Sequence, residues 1–272
     1  MLEFNFMRRS LLVGIMIALI IPMIGVIMVN RKTSMIGDAL SHSSLAGIGF
    51  GLILGVNPMW TSLLVCVLAS FSIELIRAKF KSYGDMATAL VMSTGIGIAA
   101  ILSDFTPGGT SFESFMFGSI TTVSRQDVTM VGIIFLLVAL ISFYFYYALL
   151  YNSINPTMAR LAGVKTRIIN NIFTFITAIT VAISSKTVGA LMITSLMTIP
   201  VALGLLLAKS YKSTYSLSLI FSLIFTILGI SASYYLGIKP GGAIVLVGIG
   251  FLIIVSIVLS IKKQFDKDNN LK

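Results

Sequence analysis

The sequence predicts an all-α, polytopic integral membrane protein with about eight to ten transmembrane helices in one domain over residues 1–272. Three observations carry this. The chain is 57% hydrophobic with a mean hydropathy of +1.03. Only 10% of its residues are charged, against about 25% in an ordinary soluble domain, so no soluble fold would hide this much apolar surface. The apolar residues also come in long runs, several close to the ~20 residues needed to cross a bilayer as helix.

Nine runs follow in order: 10–30, 39–56, 58–78, 85–103, 127–151, 168–185, 187–208, 214–236 and 242–261. Arg8-Arg9 before the first run imitates a signal peptide. That run continues to Val29, however, and Asn30-Arg31-Lys32 follow with no small-residue cleavage pattern. It is read as a retained first span. Runs 168–185 and 187–208 are joined by Lys186 alone, so one of them is expected to be short or broken.

The formal charge is +10. In a soluble protein this would raise nucleic acid as a partner. Here the basic residues sit in short loops between apolar runs, which the positive-inside rule explains, and no nucleic acid is expected. With the C-terminal tail inside, fourteen basic residues fall on the inner side. They are Arg31, Lys32, Arg77, Lys79, Lys81, Arg160, Lys165, Arg167, Lys209, Lys212, Lys262, Lys263, Lys267 and Lys272. Five fall outside: Arg8, Arg9, Arg125, Lys186 and Lys239. The single cysteine, Cys66, can form no internal disulfide.

The stretch 31–55 holds the only histidine, His42, with Asp38 four residues before it. On a helix these two stack on one face, just inside a span. An ionisable group there is costly and commonly functional. Asp38 also fits an N-cap, and His42 also fits a hydrogen bond to a neighbouring helix. Together, a carboxylate and an imidazole suit Zn²⁺ or Mn²⁺, without the thiolates that favour Cu(I). Two ligands make a loose site, which suits an ion that must leave again. Gly47, Gly51 and Gly55 recur at four-residue spacing and read as a helix-packing face.

Other segments carry local signals. The outer loop 104–126 begins with a Thr106-Pro107-Gly108-Gly109 turn. Its Phe112, Phe115 and Phe117 suggest a piece lying on the membrane surface or capping a cavity. The inner loop 152–167 has helix punctuation: Asn155 as N-cap, Pro156 at the first position and Gly163 as the stop. The helix over about 155–163 is either an interfacial linker or a surface offered to a cytoplasmic protein. Pro200 lies in the seventh run with Thr194, Ser195 and Thr198 nearby, and is expected to kink it. Glu74 is expected to pair with Arg77 one turn later, Asp85 to cap the fourth span, and the polar tail 262–272 to be disordered over QFDKDNNLK, residues 264–272.

No G-x-x-x-x-G-K-[ST] occurs, so the chain has no ATP site of that type, and neither H-E-x-x-H nor G-x-S-x-G occurs. No nucleophile-and-base set supports an intramembrane enzyme. Any energy from ATP must arrive through a partner.

Four stretches then carry a resemblance: MIGDALSHSSLAGIGFG, INPTMARLAGVK, VGALMITSLMTIPVA and KPGGAIVL. In this order, over nearly the whole length, the chain resembles the membrane-spanning permease subunit of bacterial zinc/manganese ABC importers, most like the zinc uptake permease. The resemblance implies a homodimer in the bacterial cytoplasmic membrane with its pathway associated with the dimer interface. It implies cytoplasmic ABC ATPase subunits docked on a coupling helix, here through Asn155, Pro156, Ala159, Arg160 and Gly163. An extracytoplasmic metal-binding protein would deliver the ion. Asp38 and His42 fall on the family's metal positions, and no cofactor is bound permanently beyond the transported Zn²⁺ or Mn²⁺. Where many relatives have a proline soon after the histidine, this chain has Ser43-Ser44-Leu45-Ala46. The competing reading is a stand-alone secondary metal carrier or channel, which would move ions without an ATPase.

Overall fold

The structure is a computed structural model that describes residues 3–80, 83–106 and 109–269. The described residues form helices and turns. In order these are α1 (Asn5–Asn30), α2 (Met35–Leu54), α3 (Pro58–Lys79), α4 (Gly84–Phe105), α5 (Gly109–Phe117), α6 (Arg125–Tyr144), α7 (Tyr146–Ile154), α8 (Pro156–Leu161) and α9 (Thr166–Ser184). A π turn (Ser185–Gly189) and a 3₁₀ turn (Ala190–Met192) lead to α10 (Ile193–Leu207), α11 (Tyr211–Leu236) and α12 (Pro240–Asn269). Helices are what an apolar environment demands, because each backbone group must be satisfied within its own segment.

Among the described residues, seven helical stretches are long and apolar enough to cross a membrane. One of them, Thr166–Leu207, has 42 residues and is not a single rod. It doubles back at the turns 185–192. Helix α2 is not among the seven, since Asp38, His42 and three serines dilute its apolar character. It has 20 residues, enough to cross, and packs along both α3 and α4. With α2 included and the 42-residue stretch counted as two arms, the described chain traverses the bundle nine times.

Contacts sort the helix ends into two sets. At one end the Ser10 hydroxyl donates to the Ile120 carbonyl, Lys186 pairs with Asp127 and Lys239 with Glu113. At the other end Arg31 lies over the Phe173 ring, Thr174 bonds Glu74, and Tyr146 packs on Tyr211 and Tyr215. The second end carries the basic loops, so it faces the cytoplasm. The start of α1 is then outside with Arg8 and Arg9, and α12 runs inward.

Helix α1 is the central post. Its most apolar window is 72% buried, against 11% for α12 at the edge of the bundle. Ile17, Ile20, Ile21 and Ile24 of α1 pack into one apolar core with Ile176 and Ile183 of α9 and Phe225 of α11. Of the expected glycine face, Gly47 and Gly51 pack on α3, while Gly55 is corrected: it ends α2 as a left-handed C-cap at φ +67° and meets no neighbour. A Cβ at Gly47 would lie 2.6 Å from the Ser62 Cα of α3.

Several local expectations are corrected. The N-cap of α2 is Ser34, so Asp38 sits within the first turn and does not cap. Asp85 likewise lies in the first turn of α4, behind Tyr83. Glu74 accepts a hydrogen bond from Thr174 of α9 at 3.1 Å, a partner across helices rather than the Arg77 on its own. The segment expected to be disordered is helical to Asn269. Pro200 lies inside α10, and the break expected where runs 168–185 and 187–208 meet falls at Ser185–Met192. Of the expected turn at 106–109, Pro107 and Gly108 lie outside the described residues.

Candidate metal site and docking helix

Asp38 and His42 stand one helical turn apart on the same face of α2, as their four-residue spacing requires. Of the residues from Ile36 to Gly49, only these two are not fully buried. The Asp38 carboxylate acts electrostatically on the His42 imidazole. Neither side chain takes part in a salt bridge among the described residues. The pair is thus uncommitted, half-open, and inside a span.

The backbone that holds it is clamped. Gly95 of α4 lies against the main chain of His42 and Ser43, where a Cβ would come within 2.9 Å of the Ser43 nitrogen. The Ser44 and Ser62 hydroxyls bond at 2.8 Å between α2 and α3, and the Cys66 thiol donates to the Leu40 carbonyl at 3.4 Å. On the α10 side, a Cβ at Gly37 would lie 3.4 Å from Thr194 Oγ1. That oxygen is buried and has no hydrogen-bond partner among the described residues. It is a further polar group beside the turn that carries Asp38.

Above the pair, toward the outer end, α2 passes under an apolar cap. Leu45, Ala46 and Ile48 cluster with Ala99 of α4, Phe112 of α5 and Ala190 of the 3₁₀ turn. Phe115, Met116 and Leu191 pack on the same cluster. The outer-loop phenylalanines therefore divide: Phe112 and Phe115 cap, while Phe117 lies beneath the Lys239 ammonium at 5.8 Å from its ring centre. The cap depends on a close backbone junction between α5 and the π turn. Gly189 adopts φ +95°, and a Cβ there would lie 2.5 Å from the Gly118 nitrogen. A side chain at that position meets both a strained φ and main-chain atoms.

Helix α8 forms as its punctuation predicts. The Asn155 Oδ1 accepts from the amides of Thr157 and Met158 at 3.0 and 3.1 Å. Pro156 opens the helix, and Gly163 closes it with φ +83°. Its amide donates to the Arg160 carbonyl at 3.0 Å, and that of Val164 to the Ala159 carbonyl at 2.9 Å. Ala159 is buried under the helix, while Arg160 and Leu161 project from the cytoplasmic end.

Sequence reasoning found both ionisable residues and the short helix α8. It missed the cap partners Ala190 and Leu191 and the Lys186–Asp127 bridge. The signal for the bridge was present, since Lys186 is the one charge between two apolar runs and Asp127 opens another.

Comparison with known proteins agrees with this architecture. The chain is 36% identical over 256 residues to a "Probable metal transport system membrane protein" of Treponema pallidum, covering 94% of this chain and 96% of that one. It is 28% identical to the high-affinity zinc uptake system membrane protein ZnuB of Haemophilus influenzae, with 93% and 97% covered. It is 29% identical to the manganese import system permease protein ScaB of Streptococcus parasanguinis, with 93% and 90% covered. Its fold matches PsaBC from Streptococcus pneumoniae with a TM-score of 0.83 at 24% identity, over 93% of this chain and 91% of that one. The profile of the ABC 3 transport family matches residues 3–259, and with these relatives it establishes that the chain is a multi-pass membrane protein belonging to that family.

Proposed function

We propose that this chain is the transmembrane permease subunit of an ATP-driven importer of Zn²⁺ or Mn²⁺ in the bacterial cytoplasmic membrane. It acts as one transmembrane domain, paired with a second copy of itself. The observation that carries this reading is the Asp38–His42 pair, half-open on α2 beneath an apolar cap. Relatives named as zinc and manganese transport proteins support the cargo.

The ligand count supports a dimer. Among the described residues, no group of three or more His, Cys, Asp or Glu side chains could hold an ion. One chain offers Asp38 and His42, whereas a tetrahedral zinc site takes four ligands. A twofold axis beside α2 brings the same two groups from a second copy, because a symmetric interface presents each residue twice. Such a site supplies four ligands for a dication.

In this reading the chain performs no chemistry on ATP. Cytoplasmic ATPase subunits dock on α8 through Asn155, Pro156, Ala159, Arg160 and Gly163, and an extracytoplasmic metal-binding protein presents the ion above the α5 cap. ATP drives the cycle only if the ATPase binds the two permease states with different affinity.

The test is metal uptake by proteoliposomes holding the permease and its ATPase. His42→Ala and Asp38→Asn should each reduce ATP-dependent Zn²⁺ and Mn²⁺ uptake by at least about a hundredfold, the scale of losing one ligand and its partner shell. ATPase co-purification should be unchanged. Full uptake of both ions by either variant would reject the site.

A further inference from the structure

Below the metal pair, one polar chain crosses the cytoplasmic half of the bundle and belongs to neither the site nor the cap. It begins at Asn152 of α7, which is 1% exposed and leads through Asn155 into α8. The Asn152 side-chain amide donates to Asn170 Oδ1 of α9 at 2.7 Å. One turn on, the Thr174 hydroxyl contacts the Asn170 carbonyl at 2.9 Å and Glu74 Oε1 of α3 at 3.1 Å. Beside Thr174, the Phe173 ring carries the Arg31 guanidinium at 5.2 Å, and Glu74 also acts electrostatically on Arg31. Arg31 caps α1 and opens the short turn into α2, seven residues before Asp38.

Two features mark the ends of this chain. Asn152 Oδ1 is buried with no hydrogen-bond donor among the described residues. A buried orphan acceptor is costly, so it persists where another arrangement satisfies it or the surrounding structure enforces it. The α1–α2 turn is also strained, because Lys32 sits at φ +54°, a region that residues other than glycine seldom adopt. An unsatisfied link lies at one end and a strained turn at the other.

We propose that Asn152, Asn170, Thr174 and Glu74 are positioning residues that tie the docking helix α8 to the α1–α2 turn, so that movement of α8 resets Asp38 and His42. This rests on the permease reading given above. A shift of α8 pulls α7, and Asn152 carries it to α9. Thr174 passes it to Glu74 of α3, whose charge acts on Arg31 at the base of α2 while the Phe173 ring seats the guanidinium. Each link joins a different pair of helices, and none touches the ion.

The experiment measures ions moved per ATP hydrolysed in proteoliposomes containing the permease, its ATPase and its metal-binding protein, with Zn²⁺ as the probe. Thr174→Val and Asn152→Leu each cut one link while keeping volume. Each should leave basal ATP hydrolysis within about twofold and lower the ion-to-ATP ratio about tenfold. The double variant should lose no more than the worse single one, because both interrupt one path. Thr174→Ser should restore the ratio. Ratios within about twofold of the unaltered complex, or losses that multiply in the double variant, overturn the proposal. If one variant dissociates the complex the other decides, and if both do, the contacts are structural and the proposal falls. Failure of the unaltered complex to move Zn²⁺ or Mn²⁺ with ATP is a different result, since it rejects the permease reading and this inference with it.

Discussion

Lys186 Nζ lies 2.6 Å from Asp127 Oδ2, and this contact fastens the reversal between α9 and α10 to the start of α6. The same carboxylate oxygen accepts from the Ser124 amide at 2.7 Å and the Ser124 hydroxyl at 2.8 Å. The side chains are 19% and 7% exposed, so the pair is shielded from bulk water. Lys186→Met strands the carboxylate and is expected to cost about 3 kcal/mol, because removing one partner leaves a buried charge. Thermal unfolding in detergent should show a drop of several degrees. Lys186→Met combined with Asp127→Asn should recover most of it. An unchanged midpoint in the single variant would show that the bridge contributes nothing.

The chemistry of the site can be retuned. His42→Cys replaces an imidazole with a thiolate, which is softer and favours Zn²⁺ over Mn²⁺. In competition uptake the variant should shift the zinc-to-manganese ratio toward zinc by about tenfold or more. A ratio unchanged from the parent protein would indicate that residue 42 does not touch the ion.

The cap makes a prediction about leakage. Phe112 is 7% exposed and fills the cluster above Leu45 and Ala46. Phe112→Ala removes most of a ring and leaves a void, a change that costs about 3–5 kcal/mol in a packed core. Metal should then pass the reconstituted permease without nucleotide, measured as efflux from preloaded vesicles. Tight vesicles would place the barrier elsewhere.

Helix α8, the proposed docking element, is six residues long, so its cap matters more than its propensity. Asn155→Ala removes the acceptor for two amides and should cost about 1 kcal/mol. That corresponds to about fivefold weaker ATPase binding in a titration of the solubilised permease. Asn155→Asp, which keeps the acceptor, should bind as the parent does.

Much of this was legible in the residues. Long apolar runs marked the helices, and the punctuation Asn155-Pro156 … Gly163 marked α8, because caps and stops depend on local backbone chemistry alone. The shared face of Asp38 and His42 followed from helix period. What required tertiary structure was partner choice. Glu74 and Arg77 are neighbours on one helix, yet the carboxylate bonds Thr174, a hundred residues away, because α3 and α9 cross there. Asp38 read as a possible cap because the entrance of α2 was placed too late. The break at Ser185–Met192 was legible as the short polar junction at Lys186 between two apolar runs, but its π and 3₁₀ geometry depends on the close approach of Gly118 to Gly189. Residues that close the cap come from α2, α4, α5 and the 3₁₀ turn, and no local pattern links them.

The bundle is traversed an odd number of times, and this has a practical outcome. Phe6 and Lys262 emerge on opposite faces, so a label attached near one is chemically invisible from the compartment that sees the other. A membrane-impermeant thiol reagent applied to intact cells should modify Phe6→Cys and spare Lys262→Cys.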